Sequence, residues 1–257
     1  MEKWERKAIS RVKNESALDA ALLMAREHEE KTKRIKIWMD TYQRGLLPYC
    51  ISHNTTGLVP GGRWLEGSVA TAEGDLYLRS SLPLSFQGPI VAPNLVNRTL
   101  SAKEALFTPT VLVVLDDKVI KYRVLPNAYP EGDASKLPTF SVITVAPPID
   151  AEVEEKKVEM RRLKKTMRLV LRIAASKGIR SLVLGTMGFG PHTRSNIRKK
   201  DRKSHQNNPA IWWWEVLTHR EFFNKGLWDD IWFAVSDEWS DAQFRTSCEK
   251  NLNNREA

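Results

Sequence analysis

Two glycine loops far apart in the chain hold the residues best suited to chemistry. The first is Pro60-Gly61-Gly62-Arg63-Trp64-Leu65-Glu66-Gly67, followed shortly by Glu73-Gly74-Asp75. The second is Gly185-Thr186-Met187-Gly188-Phe189-Gly190, directly after the apolar run Ile179 to Leu184. A glycine loop at the end of a buried strand lets backbone N–H groups come close to a phosphate, because no Cβ intervenes. Gly61, Gly62, Gly185, Gly188 and Gly190 are the candidate phosphate-contacting positions, and two such loops could hold a diphosphate between them. Asn54 precedes the first loop. Glu73, just after it, would lie near the sugars on either side. Loop, loop and carboxylate together suggest an ADP-ribose site.

The neighbouring side chains each carry an ordinary alternative. Arg63 could reinforce a phosphate site through a charge-assisted bond or partly block one. Phe189 could stack on ribose or adenine, or simply pack against the core. Glu73 could be a plain first-turn helix residue, where a carboxylate favours the dipole. His28, His53, His192, His205 and His219 show no metal-ligand spacing, so neither a metal nor a cofactor is expected.

The 257 residues suit one α/β domain with an elaboration, and the hydrophobic fraction of 42% is enough for a sizeable core. The two cysteines, Cys50 and Cys248, exclude a disulfide framework and point to a reducing compartment. No stretch reaches the length of a membrane span, and the start has no apolar signal core. The expectation is a soluble intracellular protein, cytoplasmic or nuclear. The net charge of +9 favours polyanionic partners, although basic helix faces are often merely solvated. The segment 194–203 is the most biased: Arg198, Lys199, Lys200, Arg202 and Lys203 are candidate polyanion contacts.

Elements must position these residues. A helix is expected from about 15 to 43, with Ser16 as cap and Gly45 closing the pattern. A short strand at Leu47–Ser52 leads to Asn54, and a helix follows the first loop within 64–81. Val111–Leu115 and Lys121–Leu125 read as a hairpin. Phe140–Ala146 reads as a buried central strand. The clearest helix spans Ala151–Lys177, with Gly178 suited to its C′ position. The strand Ile179–Leu184 comes next, then a helix opened by Asn208-Pro209. Three consecutive tryptophans, Trp212 to Trp214, cannot all face one side of it. A last strand is read at Asp230–Val235, before a polar helical tail. Strands separated by long helices indicate a three-layer α/β/α sandwich.

The first loop resembles the signature of the bacterial-type poly(ADP-ribose) glycohydrolases, a macrodomain branch also found in fungi. The residues carrying the resemblance are Asn54, Pro60, Gly61, Gly62, Leu65 and Gly67. Glu73 falls on the family's catalytic acid, and Leu76, Arg79, Ser80, Ser81 and Leu82 resume the pattern after a one-residue insertion. Further along, Phe107-Thr108-Pro109, Val142 to Pro148, Val183 to Gly190 and Asn208-Pro209 resemble later family segments in order. The sequence departs from the pattern at Arg63, which replaces the third glycine, and at Thr71-Ala72, which replaces a Gln-Glu pair. Phe189 takes the place of a cysteine, and Pro191 to Asn207 is an insertion.

The resemblance implies a macrodomain-like α/β/α sandwich with a mixed sheet. The expected organisation is an N-terminal helical extension (1–44), an ADP-ribose domain (45–237) and a C-terminal helical tail (238–257). It also implies hydrolysis of an O-glycosidic ribose linkage with Glu73 as acid and base. The rival expectations are an ADP-ribose reader without turnover, and a nucleic-acid- or polyanion-binding module built on 194–203. The partners are then ADP-ribose or ADP-ribosylated protein or nucleic acid, with no membrane.

Overall fold

A computed structural model describes residues 9–13, 15–35, 49–54, 72–87, 103–116, 122–145, 156–185, 187, 209–222 and 225–235. Six strands form one mixed sheet: β1 (Ile9–Lys13), β2 (Tyr49–Asn54), β3 (Ala105–Leu112), β4 (Thr139–Val145), β5 (Ser181–Leu184) and β6 (Asp230–Ala234). Their order is β1-β6-β5-β2-β4-β3. Every pairing is parallel except β3 with β4, which is antiparallel and irregular in register between Thr108 and Val111. The irregularity falls at Pro109, which has no N–H to give to a ladder. The expected hairpin is the Leu115–Val124 bridge, closed by Asp116 N–H to the Arg123 carbonyl at 2.8 Å and Leu125 N–H to the Val114 carbonyl at 2.9 Å.

Helices cover both faces, because the inner strands are apolar on both. On one face lie α1 (Ala17–Ile35) and α2 (Ala72–Arg79), with Leu18, Met24, Leu76 and Tyr77 packed on Val142, Val183 and Trp232. The short α3 (Leu84–Gln87) follows α2. On the other face lie α4 (Lys156–Ser176) and α5 (Pro209–Leu217). Here Leu163, Met167, Leu171, Trp213 and Val216 pack on Ile143, Leu182, Leu184 and Phe233. Successive strand residues alternate between these two cores, as the pleat requires. The result is a three-layer α/β/α sandwich.

Several local signals act as their chemistry dictates. Asp19 N–H donates to Ser16 Oγ at 3.2 Å, so Ser16 caps α1. Gly178 ends α4 with φ +68°, Ile179 N–H reaching the Ala174 carbonyl at 3.0 Å and Gly178 N–H the Ala175 carbonyl at 3.1 Å. That paired closure needs a left-handed residue, which glycine supplies without strain. Of the three tryptophans, Trp212 and Trp213 are buried and Trp214 is half-buried. Trp213 meets Phe233 edge-on, with ring centroids 6.0 Å apart.

The N-terminal segment is more than a helix laid beside the domain. A strand precedes α1, and β1 pairs with β6 from Ile9↔Ile231 to Lys13↔Ala234. Lys13 also places its ammonium 4.9 Å above the Trp232 ring. Leu18, Ala20, Ala21 and Met24 of α1 belong to the same core as α2 and the central strands. The sheet and one of its cores therefore run across the expected boundary at residue 44. The tail 238–257 lies outside the described residues.

Candidate functional site

The two loops leave from strands that are hydrogen-bonded neighbours. β2 pairs with β5 in parallel from Tyr49↔Ser181 to Ser52↔Leu184, so both carboxyl ends reach one edge of the sheet. Asn54, the last residue of β2, stands opposite Val145 at the end of β4. Gly185 follows β5 directly, and its carbonyl accepts the Met187 N–H at 2.9 Å in a tight turn. The Met187 side chain is buried in the core under α4 and α5, which anchors the start of the second loop. Three neighbouring parallel strands, β5, β2 and β4, thus end together.

The connections beyond those ends part company. The chain after β2 leads to α2, on the face with α1, whereas the chain after β5 leads to α5, on the opposite face. The chain after β4 also crosses to the α5 face, through α4. In open α/β sheets, a crevice forms outside the carboxyl ends where adjacent connections diverge in this way, and ligands bind there. In the strand order β2 diverges in this way from both its neighbours, β5 and β4, and the glycine loops follow β2 and β5.

Glu73 stands in the first turn of α2, at the head of the helix that follows the first loop. The rest of α2 is fixed by an ion-pair cluster that sequence reasoning did not assign. Arg79 is fully buried; its Nη1 donates to Asp75 at 3.0 Å and its Nη2 to Asp19 of α1 at 2.7 Å. The Arg79 carbonyl accepts the Val114 N–H at 2.8 Å and the Leu115 N–H at 3.2 Å. Ser80 pairs with Val113, and Ser81 N–H reaches the Leu112 carbonyl at 2.8 Å. An eight-residue helix has little stability of its own, so these bonds and the Leu76 and Tyr77 contacts are what hold it in place.

Asp75 therefore does not stand free as a second acid. Burial pushes its carboxyl above the ordinary range, and Arg79 only partly offsets that. Burial, together with the Asp75 charge, raises the Tyr122 phenol. Tyr122 adopts φ +54°, and among the described residues it is the one non-glycine in the left-handed region. Such strain persists only where surrounding contacts over-determine it. The clue to the cluster lay in the i,i+4 spacing of Asp75 and Arg79 around the apolar run Leu76 to Leu78; the Asp19 contact is long-range and leaves no local trace.

The sites predicted from sequence fall into two groups. Asn54 ends β2 and Gly185 follows the end of its neighbour β5, while Glu73 stands in the first turn of α2. Gly61, Gly62, Arg63, Gly188, Phe189 and Gly190 lie outside the described residues, as do Arg198, Lys199, Lys200, Arg202 and Lys203. Among the described residues no group of three or more His, Cys, Asp or Glu side chains is arranged to hold a metal, and no helix is long and apolar enough to cross a membrane.

The fold is that of bacterial poly(ADP-ribose) glycohydrolases. The enzyme from Thermomonospora curvata superposes with a TM-score of 0.62 at 20% identity, over 93% of this chain and 76% of that one. A second structure of it, bound to the inhibitor ADP-HPD, gives 0.60 at 20% identity, over 93% of this chain and 78% of the other. The Deinococcus radiodurans enzyme in complex with ADP-ribose gives 0.62 at 20% identity, over 96% and 88%. No family model and no curated protein sequence matches the chain.

Proposed function

We propose that the protein is an ADP-ribose-processing hydrolase of the poly(ADP-ribose) glycohydrolase type. The observation that carries the reading is the parallel pairing of β2 with β5, the strands that precede the two glycine loops, at a divergence of connections. The fold shared with the ADP-ribose-bound Deinococcus enzyme supports it. In this reading the backbone N–H groups of Gly61, Gly62, Gly188 and Gly190 hold the diphosphate, and Gly185 shapes the turn behind them. Arg63 adds a cation to the phosphates and Phe189 lies along the ribose or adenine. Asn54 bonds the sugar. Arg198, Lys199, Lys200, Arg202 and Lys203 extend the site towards an anionic chain.

Glu73 protonates the glycosidic oxygen as the ribose C–O bond breaks, giving an oxocarbenium-like centre. As carboxylate it then takes a proton from the water that adds to the sugar carbon. The head of a helix favours the charged carboxylate, so the acid role requires enclosure by ligand and loops to raise the pKa. Replacing Glu73 with Gln should leave ADP-ribose binding intact and lower hydrolysis of an ADP-ribosylated substrate by about 10² or more. Calorimetry and product release on the same samples provide both readings, and a wild-type rate in the variant would overturn the acid assignment.

A reader without turnover is the second reading. It is favoured by Ala72 and Arg63, where the resembling family carries a carboxylate and a bare glycine. Binding of ADP-ribose with no product from any linkage would establish it.

A further inference from the structure

Arg161, Lys164, Lys165, Arg168 and Arg172 recur on α4 at the spacing of one helical face. At 100° per residue they fall within an arc of about 100° and extend about 16 Å along the axis. No acidic residue lies on α4 between Arg161 and its end. The carboxylates that answer this stripe come from α5 and the turn after it. Glu215 pairs with Lys164, and Glu221 holds Arg172 through two bonds. Arg161 and Lys165 have no acidic partner among the described residues, and Arg168 feels only the charge of Glu221, with no hydrogen bond to it there. Arg161 and Lys165 are exposed, and the buried Nε of Arg168 has no acceptor there. Among the described residues the stripe is therefore only partly neutralised.

Its placement matters as much as its charge. The chain enters α4 from the carboxyl end of β4 and leaves it for β5, which is parallel to β4 through their shared neighbour β2. The helix must then run back against the strands, so its first half lies at the edge where β2, β4 and β5 end. The unpaired cations thus begin at the rim of the candidate site and continue down one flank of the domain.

We infer that this face of α4 is a docking track for the anionic remainder of a poly(ADP-ribose) chain whose end occupies the site. The inference rests on the ADP-ribose reading of that site. A chain bearing two phosphates per unit supplies the repeated negative charge that a row of incompletely neutralised cations would attract, and a single ADP-ribose is too short to follow them.

The test compares the wild type with R161Q/K165Q/R168Q, in which glutamine keeps part of each aliphatic stem. Melting temperature serves as the fold check, and R161Q/K165Q, both exposed, substitutes if Arg168 proves necessary for folding. Each protein is titrated with monomeric ADP-ribose, with poly(ADP-ribose) of defined length, and with single-stranded DNA of equal charge, from low to physiological salt. The expected result is a loss of about tenfold or more in polymer affinity, a fall of about 2 in the slope of log affinity against log salt for three lost phosphate contacts, and unchanged monomer binding. Equal polymer affinity and slope in both proteins would overturn the track. A loss confined to DNA would overturn it too and assign the face to nucleic acid. Absent monomer binding in the wild type would instead remove the reading of the site, which separates the two failures.

Discussion

Residue by residue, the molecule separates two acids that sit two positions apart. Glu73 lies in the first turn of α2, whereas Asp75 is spent on Arg79 inside the domain. A buried guanidinium bound by two carboxylates is costly to disturb, because removing one partner leaves an uncompensated charge. The cluster also leaves a pH signature. The Asp75 carboxyl is raised in the folded state above its ordinary 3.8, so between 3.8 and the raised value the folded protein holds a proton that the unfolded chain has released. Stability from this group is therefore present at the acid end of that window and is lost as pH rises through it. Replacing Asp75 with Asn removes the titration. The difference in unfolding free energy between the two proteins, followed by denaturant titration at several pH values, should shift in favour of the variant as pH rises across the window. A difference that stays flat would mean that Asp75 is not raised. A helix within 64–81 was legible from sequence; the partners of Arg79 were not, since Asp19 is brought to it from 60 positions away.

At the scale of elements, the best-read pieces were those whose signals are local. Helix α4 shows its apolar face in Leu163, Met167, Val170, Leu171 and Ala174, and its stop in Gly178. The stop is open to a direct test. A Cβ at Gly178 would meet nothing within 4 Å, so steric contact is not at issue. Gly178→Ala should still destabilise by about 1 kcal/mol, because alanine at φ +68° is strained and the unfolded chain changes little in compensation. Chemical denaturation would measure it, and an unchanged midpoint would show that α4 ends another way in solution. The pieces read less well were those defined by pairing. The segment 111–115 was expected as one arm of a hairpin; the ladder with β4 begins at Ala105, and among the described residues the two arms are joined around the Leu115–Val124 bridge. Strand β1, Ile-Ser-Arg-Val-Lys, alternates too briefly to stand out. Its place was decided by β6, which offers an otherwise open edge.

For the whole molecule, the consequence of a site at the sheet edge is linkage between ligand and fold. A ligand that binds only the folded state stabilises it by mass action, by about 2.7 kcal/mol at a concentration one hundred times the dissociation constant. ADP-ribose should accordingly raise the melting temperature in a concentration-dependent way, and millimolar ADP-ribose without a shift or a calorimetric signal would remove both the hydrolase and the reader readings. The sequence by itself determined the class of fold, since apolar runs at Phe140–Ala146 and Ile179–Leu184 separated by one long amphipathic helix admit few arrangements other than a covered sheet. It also determined which residues were worth suspecting, because glycines in series and a nearby glutamate are visible in one dimension. Only the tertiary structure decided that β2 and β5 are neighbours, that their connections part to opposite faces, and that Asp75 belongs to Arg79 rather than to the site. The physical reason is that strand order and buried ion pairs are set by contacts between distant segments, whose free energy depends on mutual burial and leaves no mark on the local pattern of either segment.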